Sequence, residues 1–292
     1  MNPNWNKVIL QGLVGNGLVG YNAIKTLIET FSSDVVKDYA EFFPNISFID
    51  NGIIENQCVR LFFNKINNNE FYLINGPQPR SEEMNSFFLK QIVADIKELH
   101  SSKPIDIFIS FGALITKNLS YVDFQDIKHD SKEELAEKIL FGEIEKDRSL
   151  HIATNGSITF ENFLEGTNDS SDKLVKETQG FIKGLNGVLP AMVGERLKIP
   201  TVTIMVETTG TDPRDNSFPV LAQFLGLLAT KKALHFIQNV FIGKNEHIDS
   251  KIDSVINDLK DAAKQELINY LDNDFSPDKT READYRNDKM YT

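Results

Sequence analysis

The sequence predicts an α/β fold in which helices cover both faces of a largely parallel but mixed sheet, as a three-layer αβα sandwich. Three observations lead to this prediction. Short apolar segments alternate with segments of helical periodicity, which is typical of βαβ units. Residues 104–112 and 201–206 are apolar enough to be strands covered on both faces. The segments 60–66 and 70–75 flank three asparagines at 67–69, and the β-hairpin that they predict makes the sheet mixed.

The amino-terminal half begins with a predicted strand at 8–10, a glycine-rich turn and a helix over 21–31. After the hairpin, a Gly-Pro-Gln-Pro segment ends the second strand, because proline cannot donate a hydrogen bond to a ladder. Ser81, followed by two glutamates, predicts the start of a helix that ends near His100. Apolar residues share one face of this helix, at Phe88, Ile92, Ile96 and Leu99.

The carboxyl-terminal half continues the alternation of strands and helices, and it contains no internal repeat. A second glycine-rich turn precedes one of its helices. The predicted elements are a helix over 132–141, a strand over 150–154, a long exposed loop over 160–175, a helix over 188–197, the strand over 201–206 and a helix over 218–233.

The chain is predicted to have three parts. Residues 1–245 form the sandwich domain, and residues 246–271 form one long amphipathic helix. The apolar side of this helix is predicted to contain Ile248, Ile252, Val255, Leu259, Ala262, Ala263, Leu267 and Leu271. Because the helix is roughly 37 Å long, we expect it also to pack on a neighbouring protein. Residues 272–289 carry six acidic and four basic residues, so we expect 272–292 to be a flexible tail.

Charge and cysteine content limit the partners and the compartment. The net charge of −11 opposes contact with a phosphate backbone, so we expect no nucleic acid partner. Cys58 is the only cysteine, which suits a reducing compartment. The amino terminus lacks the apolar core of a signal peptide, and no apolar run approaches the ~20 residues of a membrane span. We therefore expect a soluble, cytoplasmic protein with no membrane partner.

The first glycine turn allows two interpretations. Gly15, Gly17 and Gly20 have the G-x-G-x-x-G spacing that binds a dinucleotide pyrophosphate at a helix N-terminus. Such a site also needs an acidic residue about 20 positions further on, at the end of a second strand. The sequence around Glu41 does not resemble a strand end, and Asp50 comes too late. Close packing of strand and helix is therefore the favoured role of the glycines, and a small-ligand loop is the alternative.

Glu207 is the candidate residue for an enzyme. It ends a buried strand, where open α/β sheets place their ligand-binding loops. An enzyme of nucleoside phosphorylase or hydrolase type would use Glu207 to accept a hydrogen bond from a sugar hydroxyl and Asp212 as a general acid. The favoured alternative is a structural carboxylate that caps a helix or pairs with Arg214, since the sequence offers no convincing phosphate pocket. The five histidines lack metal-ligand spacing, so we expect neither a metal nor a cofactor.

Two glycine-containing motifs resemble those of a known family. The segment 11–20, QGLVGNGLVG, resembles the first motif of the proteasome assembly chaperone 2 family, in which a strand leads into a glycine-rich turn. The second motif corresponds to GLNGVLP at 184–190, Ile-Pro at 199–200, Met-Val-Glu-Thr at 205–208 and the helix from Phe218. The resemblance covers about residues 7–240. Two departures are the acidic segment 117–175, which is longer than expected, and residues 214–216, which replace small alanines.

The resemblance implies an αβα sandwich similar to that of purine nucleoside phosphorylases. In archaeal members of the family this domain assembles into closed homo-oligomers, so a homo-oligomer is expected here. The resemblance also implies a role in proteasome assembly or activation rather than catalysis.

The last three residues, Met290, Tyr291 and Thr292, are similar to the hydrophobic–tyrosine–X ending with which proteasome activators and assembly factors dock. In those proteins the terminal carboxylate meets a lysine in a pocket between α-ring subunits, and capture of a free carboxylate is a general recognition mode. The resemblance therefore implies that these three residues bind the α-subunits of the proteasome core particle.

Overall fold

The computed structural model describes the chain apart from residues 1–4, 16–17, 44–46, 51–52, 57, 79–80, 119–130, 156, 168–172, 178, 180, 183, 211–218, 275–289 and 292. The strands of the described residues are β1 (Lys7–Leu13), β2 (Asp34–Asp38), β3 (Ser47–Asp50), β4 (Ile53–Asn56), β5 (Arg60–Ile66), β6 (Asn69–Gly76), β7 (Ile107–Asn118), β8 (Leu150–Thr154), β9 (Leu174–Lys176), β10 (Phe181–Ile182), β11 (Thr201–Gly210) and β12 (Met290–Tyr291). The α-helices are α1 (Val19–Thr30), α2 (Glu82–Ser102), α3 (Lys132–Glu145), α4 (Phe160–Gly166), α5 (Leu185–Leu197), α6 (Pro219–Ile237) and α7 (Glu246–Asp274).

One mixed sheet organises the fold, and its main path has the strand order β2-β5-β6-β1-β7-β11-β8-β9. The four central strands β6, β1, β7 and β11 are parallel. The hairpin of β5 and β6 is antiparallel, as is the pairing of β11 with β8. Strands β3 and β4 form a separate two-stranded sheet. The predicted α/β class with a mixed sheet is therefore confirmed.

Helices cover both faces of the sheet and create two cores. On one face, α1, α3, α6 and α7 pack over the sheet in a core that includes Ile24, Phe224 and Ile252. On the other face, α2 and α5 form a smaller core around Ile92 and Leu189. The apolar central strands contribute side chains to both cores, as expected for strands covered on two sides. This arrangement confirms the predicted three-layer sandwich.

The first glycine turn brings β1, α1 and β7 into close contact. A Cβ atom on Gly12 would lie 2.0 Å from the carbonyl oxygen of Gly20. A Cβ atom on Gly20 would in turn lie 2.2 Å from the carbonyl oxygen of Phe111, on β7. Real Cβ atoms do not approach backbone this closely, so only glycine fits at both positions. At Gly20, the structure therefore supports the close-packing interpretation.

The predicted loop over 160–175 is wrong in part, because α4 and β9 both lie within it. The hydroxyl of Thr159 accepts a hydrogen bond from the Asn162 backbone N–H and caps α4, and the side chain of Phe163 is buried. Strand β9 pairs with β8. The prediction relied on the polar composition of this segment. It failed in part because the contacts that order the segment come from residues distant in sequence.

Helix α7 runs to Asp274 and packs along α6, with further contacts to α3 and α1. Its buried residues are Ile248, Ile252, Ile256, Ala263 and Leu267. Val255, which the sequence analysis placed on the apolar side, is instead 39% exposed. The described part of α7 thus covers its own sandwich, while the predicted contact with a neighbouring protein stays a prediction.

Helix α6 and the π-helical turn that follows it, Gln238–Ile242, together are long and apolar enough to cross a membrane. However, 67% of the apolar stretch is buried inside the fold. The side chains of Phe224, Leu234 and Phe236 are fully buried in the core that α6 shares with the sheet and α7. The composition of α6 is therefore explained by its position as the central helix of one layer.

We predict that Gly20→Ala lowers the free energy of unfolding by about 3 kcal/mol, because the added methyl group would overlap the Phe111 carbonyl. Gly142→Ala on α3 is the matched control, since a Cβ atom there meets nothing within 4 Å. This control should gain about 0.8 kcal/mol from the better helix propensity of alanine. Urea unfolding of the three proteins measures both values, and equal stability of Gly20→Ala and the wild type would contradict the packing argument.

Candidate functional site

The strands β1 and β7 separate at their carboxyl ends and leave a crevice. Strand β1 pairs with β7 only from Val8 to Gln11, opposite residues 107–110. Strand β7 continues to Asn118, with β11 along its other edge. From β1 the chain leads to β2 at one edge of the sheet, whereas from β7 it leads through α3 to β8 on the opposite side. Such a topological switch point is where open α/β sheets bind their ligands, and we call it the switch crevice.

Met290 and Tyr291, close to the carboxyl terminus, lie in the switch crevice. Strand β12 is antiparallel to β7, with Tyr291 opposite Leu114. It is also parallel to β10, with Met290 opposite Phe181 and Tyr291 opposite Ile182. Because β11 occupies the other edge of β7, β12 takes the edge that β1 has left. The structure thus places Met290 and Tyr291 between two strands, and Thr292 lies outside the described residues.

The floor of the switch crevice is apolar. Leu114 on β7 and Met205 on β11 are buried, and Ile182 on β10 packs against them. A Cβ atom on Gly187, in the first turn of α5, would lie 2.6 Å from the Ile182 side chain. The glycine therefore makes room for Ile182, which holds β10 beside the crevice.

Side-chain amides hold the glycine turn beside the crevice. The Asn186 side chain accepts a hydrogen bond from the Leu13 N–H (3.1 Å) and donates one to the Leu13 carbonyl (3.2 Å). Asn75 donates to the Gly12 carbonyl at 2.9 Å, and Gln78 donates to the Val14 carbonyl at 2.6 Å. Sequence reasoning missed these residues, and the position of Asn186 between the glycines of the second motif was the available signal. In the structure the Asn186 side chain is 1% exposed. The amides thus bind backbone groups at the end of β1 and at the start of the turn.

The ligand-loop alternative finds limited support in this geometry. The Leu18 N–H donates to the Gly15 carbonyl at 3.1 Å, and Gly20 is buried against β7. Gly17 lies outside the described residues. The acidic residue that ends β2, Asp38, lies beyond β5 and β6 from β1, and it pairs with Arg60. A dinucleotide site instead needs that strand beside β1.

Glu207 forms a polar rim next to the apolar floor. Its carboxylate accepts a hydrogen bond from the Thr116 hydroxyl at 3.0 Å and lies 3.1 Å from the Lys146 ammonium. The Ser149 backbone N–H donates to its second oxygen at 3.4 Å. Glu207 and Thr116 each lie two residues beyond a residue of the floor, Met205 and Leu114, and so point to the same side of the sheet. The carboxylate is thus paired, as the structural interpretation requires, but its partner is Lys146.

The pKa of Glu207 is lowered below its ordinary value of 4.5. Burial is the largest single effect and raises the pKa, because it disfavours the charged form. The hydrogen bond and the positive charge of Lys146, with the hydrogen bonds from Thr116 and Ser149, together outweigh it. Glu207 therefore remains a carboxylate at neutral pH, with its oxygens already occupied.

No group of three or more histidine, cysteine or acidic residues that could hold a metal ion occurs in the part of the chain that the structure describes. Cys58 is buried, and burial together with a hydrogen bond to Asp38 raises the pKa of its thiol to about 11. Such a thiol is protonated at neutral pH and is a poor nucleophile. The described residues of the switch crevice form an apolar floor and a charged rim.

A sequence model of the PAC2 family matches residues 9–241, which span the sandwich from β1 to the turn after α6. A comparison with curated proteins gave no match.

Solved structures of similar fold cover nearly the whole chain. PbaB of Pyrococcus furiosus, an archaeal proteasome activator, has a TM-score of 0.62 at 13% identity, over 91% of this chain and 95% of PbaB. PbaA of the same organism, an archaeal homolog of proteasome-assembly chaperone, has a TM-score of 0.54 at 15% identity, over 89% and 93%. The Mycobacterium tuberculosis proteasome-assembly chaperone homologue Rv2125 has a TM-score of 0.54 at 12% identity, over 90% and 99%. At these identities the likeness shows the fold.

We predict that Asn186→Ala lowers the free energy of unfolding by about 3 kcal/mol, because the buried N–H and C=O of Leu13 lose their side-chain partner. Asn162→Ala, at an exposed position of α4, is the matched control and should change stability by less than about 0.5 kcal/mol. Urea unfolding compares the two variants. A small effect at Asn186 would mean that the amide does not support the turn.

The Glu207→Gln variant should be less stable than the wild type near neutral pH. Because the folded state lowers the pKa of Glu207, its ionisation stabilises the fold above the ordinary value of 4.5, and this contribution is lost as the pH falls through the lower folded-state pKa. The stability difference should therefore shrink below pH 4.5. Urea unfolding across the acid range measures it, with exposed Glu165→Gln as the control. A difference that stays constant with pH would contradict the assigned role.

Proposed function

We propose that this protein, because it belongs to the PAC2 family, is a non-enzymatic assembly chaperone or activator of the proteasome. The observation that carries the proposal is the Met290-Tyr291-Thr292 ending on a chain whose residues 9–241 match this family. The similarity to PbaB, an archaeal proteasome activator, and to PbaA, an archaeal homolog of proteasome-assembly chaperone, supports the same role. The last three residues dock into pockets between α-subunits of the core particle.

The chemistry of the ending suits such a pocket. Met290 supplies an apolar side chain, and Tyr291 supplies an aromatic ring with a polar hydroxyl. In this proposal, Thr292 contributes the terminal carboxylate. A lysine in the pocket would pair with that carboxylate, and backbone N–H groups could donate to it. All three groups are used together, so the loss of one should weaken docking strongly.

The position of α7 supports delivery of the tail. The Glu266 carboxylate on α7 accepts a hydrogen bond from the Leu221 N–H, at the start of α6, at 2.8 Å. At the other end of the pair, Asp249 lies 3.5 Å from His235, near the end of α6. The two helices are therefore antiparallel. Helix α7 ends beside the start of α6, near the carboxyl end of β11. Residues 275–289 can span about 50 Å from this point when extended.

We further propose that the sandwich domain forms a homo-oligomer in the cytoplasm. Several tails would then engage one α-ring, and the effective concentration of the remaining tails after the first contact would add to the affinity. The net charge of −11 disfavours nucleic acid as a competing partner. An acidic, oligomeric protein with terminal anchors fits a role at the proteasome surface.

No observation on the described residues favours the enzyme alternative. It assigned Glu207 to a sugar hydroxyl, but the described partners Thr116, Lys146 and Ser149 already bind this carboxylate. Asp212 and Arg214 lie outside the described residues. The geometry of Glu207 supports a structural role at the rim of the switch crevice.

Tyr291→Ala is expected to reduce binding to the proteasome core particle at least about tenfold, because it removes the aromatic anchor of the tail. Tyr285→Ala is the matched control, since this tyrosine lies in the same tail outside the terminal motif. A pull-down of the core particle compares both variants with the wild type and with a chain that lacks residues 290–292. Peptide hydrolysis in the same samples shows whether bound protein activates the particle.

Unchanged binding of Tyr291→Ala, or of the truncated chain, would refute docking by the tail. Size-exclusion chromatography with light scattering controls for a change in oligomer size. A chain extended by one glycine after Thr292 tests the carboxylate separately, because it keeps all three side chains and moves the charge.

A further inference from the structure

We infer that the switch crevice is a docking site for the chain's own carboxyl-terminal segment, and that this self-docking withholds the segment from the proteasome. The structural part of the inference stands on the pairing of β12 with β7 and β10. Its regulatory part rests on the proposed function, because it concerns the same three residues.

The crevice offers what an added strand needs. Past Ser110, strand β7 is no longer paired with β1, so the backbone groups on this edge are left for another partner. Strand β10 provides a second edge on the far side of β12. An extended peptide inserted here finds hydrogen-bonding backbone on both sides, which is the basis of recognition by strand addition.

Strand β10 has no other described strand partner than β12. Ile182 anchors it by packing on Leu114 and Met205, and Gly187 leaves the space that the Ile182 side chain occupies. A two-residue strand on its own is not stable. The position of β10 is therefore set by its anchor on one side and by the tail on the other, as in a clamp.

The direction of β12 matches the shape of the crevice. Because β12 is antiparallel to β7, it runs from the polar rim at Thr116 and Glu207 toward the glycine turn. Helix α7 also ends near the carboxyl ends of the central strands, as its contact with the start of α6 shows. The tail of the same chain can therefore enter the crevice without crossing the sheet.

Docking in the crevice and docking in an α-ring pocket use the same residues and exclude each other. If nine-tenths of the tails are self-docked, the apparent affinity for the core particle falls about tenfold relative to a free tail. Self-docking of so few residues is weak enough for several pockets on one ring to compete successfully. The crevice thus keeps the tail covered until a matching ring is present.

The test loosens the clamp without changing the tail. Phe181→Pro removes the backbone N–H of one β10 residue and restrains its backbone, while Phe181→Ala keeps the N–H and is the matched control. Gly187→Ala should displace β10, because the added Cβ atom would overlap the side chain of Ile182. Thermal unfolding of the full-length variants verifies that the sandwich remains folded.

Two quantities are measured on each full-length protein. The first is the rate at which a carboxypeptidase releases Thr292 and Tyr291, followed by mass spectrometry; the second is the affinity for the core particle. We expect Phe181→Pro and Gly187→Ala to increase the release rate about tenfold. They should raise the affinity for the core particle by the same factor. Phe181→Ala should resemble the wild type in both.

Equal release rates in all variants would overturn self-docking, whatever the core particle does. Release that slows as the protein concentration rises would also overturn it, because it would indicate a tail from a second copy. Faster release with unchanged affinity would refute the regulatory part alone. A last outcome is faster release in the variants while neither they nor the wild type bind the core particle. This result would refute the proposed function and the regulatory part. It would leave the docking site established.

Discussion

The contact of β1, α1 and β7 at Gly12 and Gly20 is the constraint on which the remaining structure depends. The helix backbone rests directly on two neighbouring strands, with no side chain between them. This contact sets the height of α1 above the sheet, and α6 and α7 then pack against α1 in the same layer. It also lies where the pairing of β1 with β7 ends, while β7 continues beside β11. The core of one layer and the opening of the switch crevice therefore have the same origin.

Side-chain amides make the edge of this crevice rigid. Asn75 lies on β6, Gln78 follows that strand and Asn186 lies on α5, yet all three bind backbone groups at the end of β1 or in the glycine turn. A turn held in this way cannot relax when a peptide enters or leaves beside it. The edge of the crevice beside the glycine turn is consequently preformed, and strand addition costs little reordering of this edge. The rim formed by Glu207 and Lys146 is equally fixed by its own ion pair.

The same short segment is given two possible partners by this architecture. Backbone pairing in the crevice depends little on side-chain identity, whereas a pocket of an α-ring would read the side chains and the carboxylate. In the proposed function, self-docking would therefore be modest and general, while binding to the ring would be specific and multivalent. The edge of β7 at the switch crevice suits this pair of roles, because self-docking there needs no additional domain.

Much of the fold was determined by local sequence. The alternation of apolar strands and amphipathic helices predicts the α/β sandwich, the asparagines at 67–69 predict the hairpin of β5 and β6, and Ser81 marks the start of α2. The glycines of the first turn indicate close packing, and the last three residues indicate a docking motif. These features succeed because turn chemistry, helix capping and periodicity act over a few residues.

Only the tertiary structure decided the features that depend on distant contacts. Strands β2 and β9 form at the sheet edges because longer strands offer them partners, and α7 buries Ile256 rather than Val255 because its contact with α6 sets the rotation of the helix. The partner of Glu207 is Lys146, at the end of a helix far away in sequence, so no local pattern could identify it. The position of β12 in the switch crevice likewise depends on residues that are distant in sequence. A strand of two residues has no sequence signal of its own and exists only where other strands leave an edge to pair with.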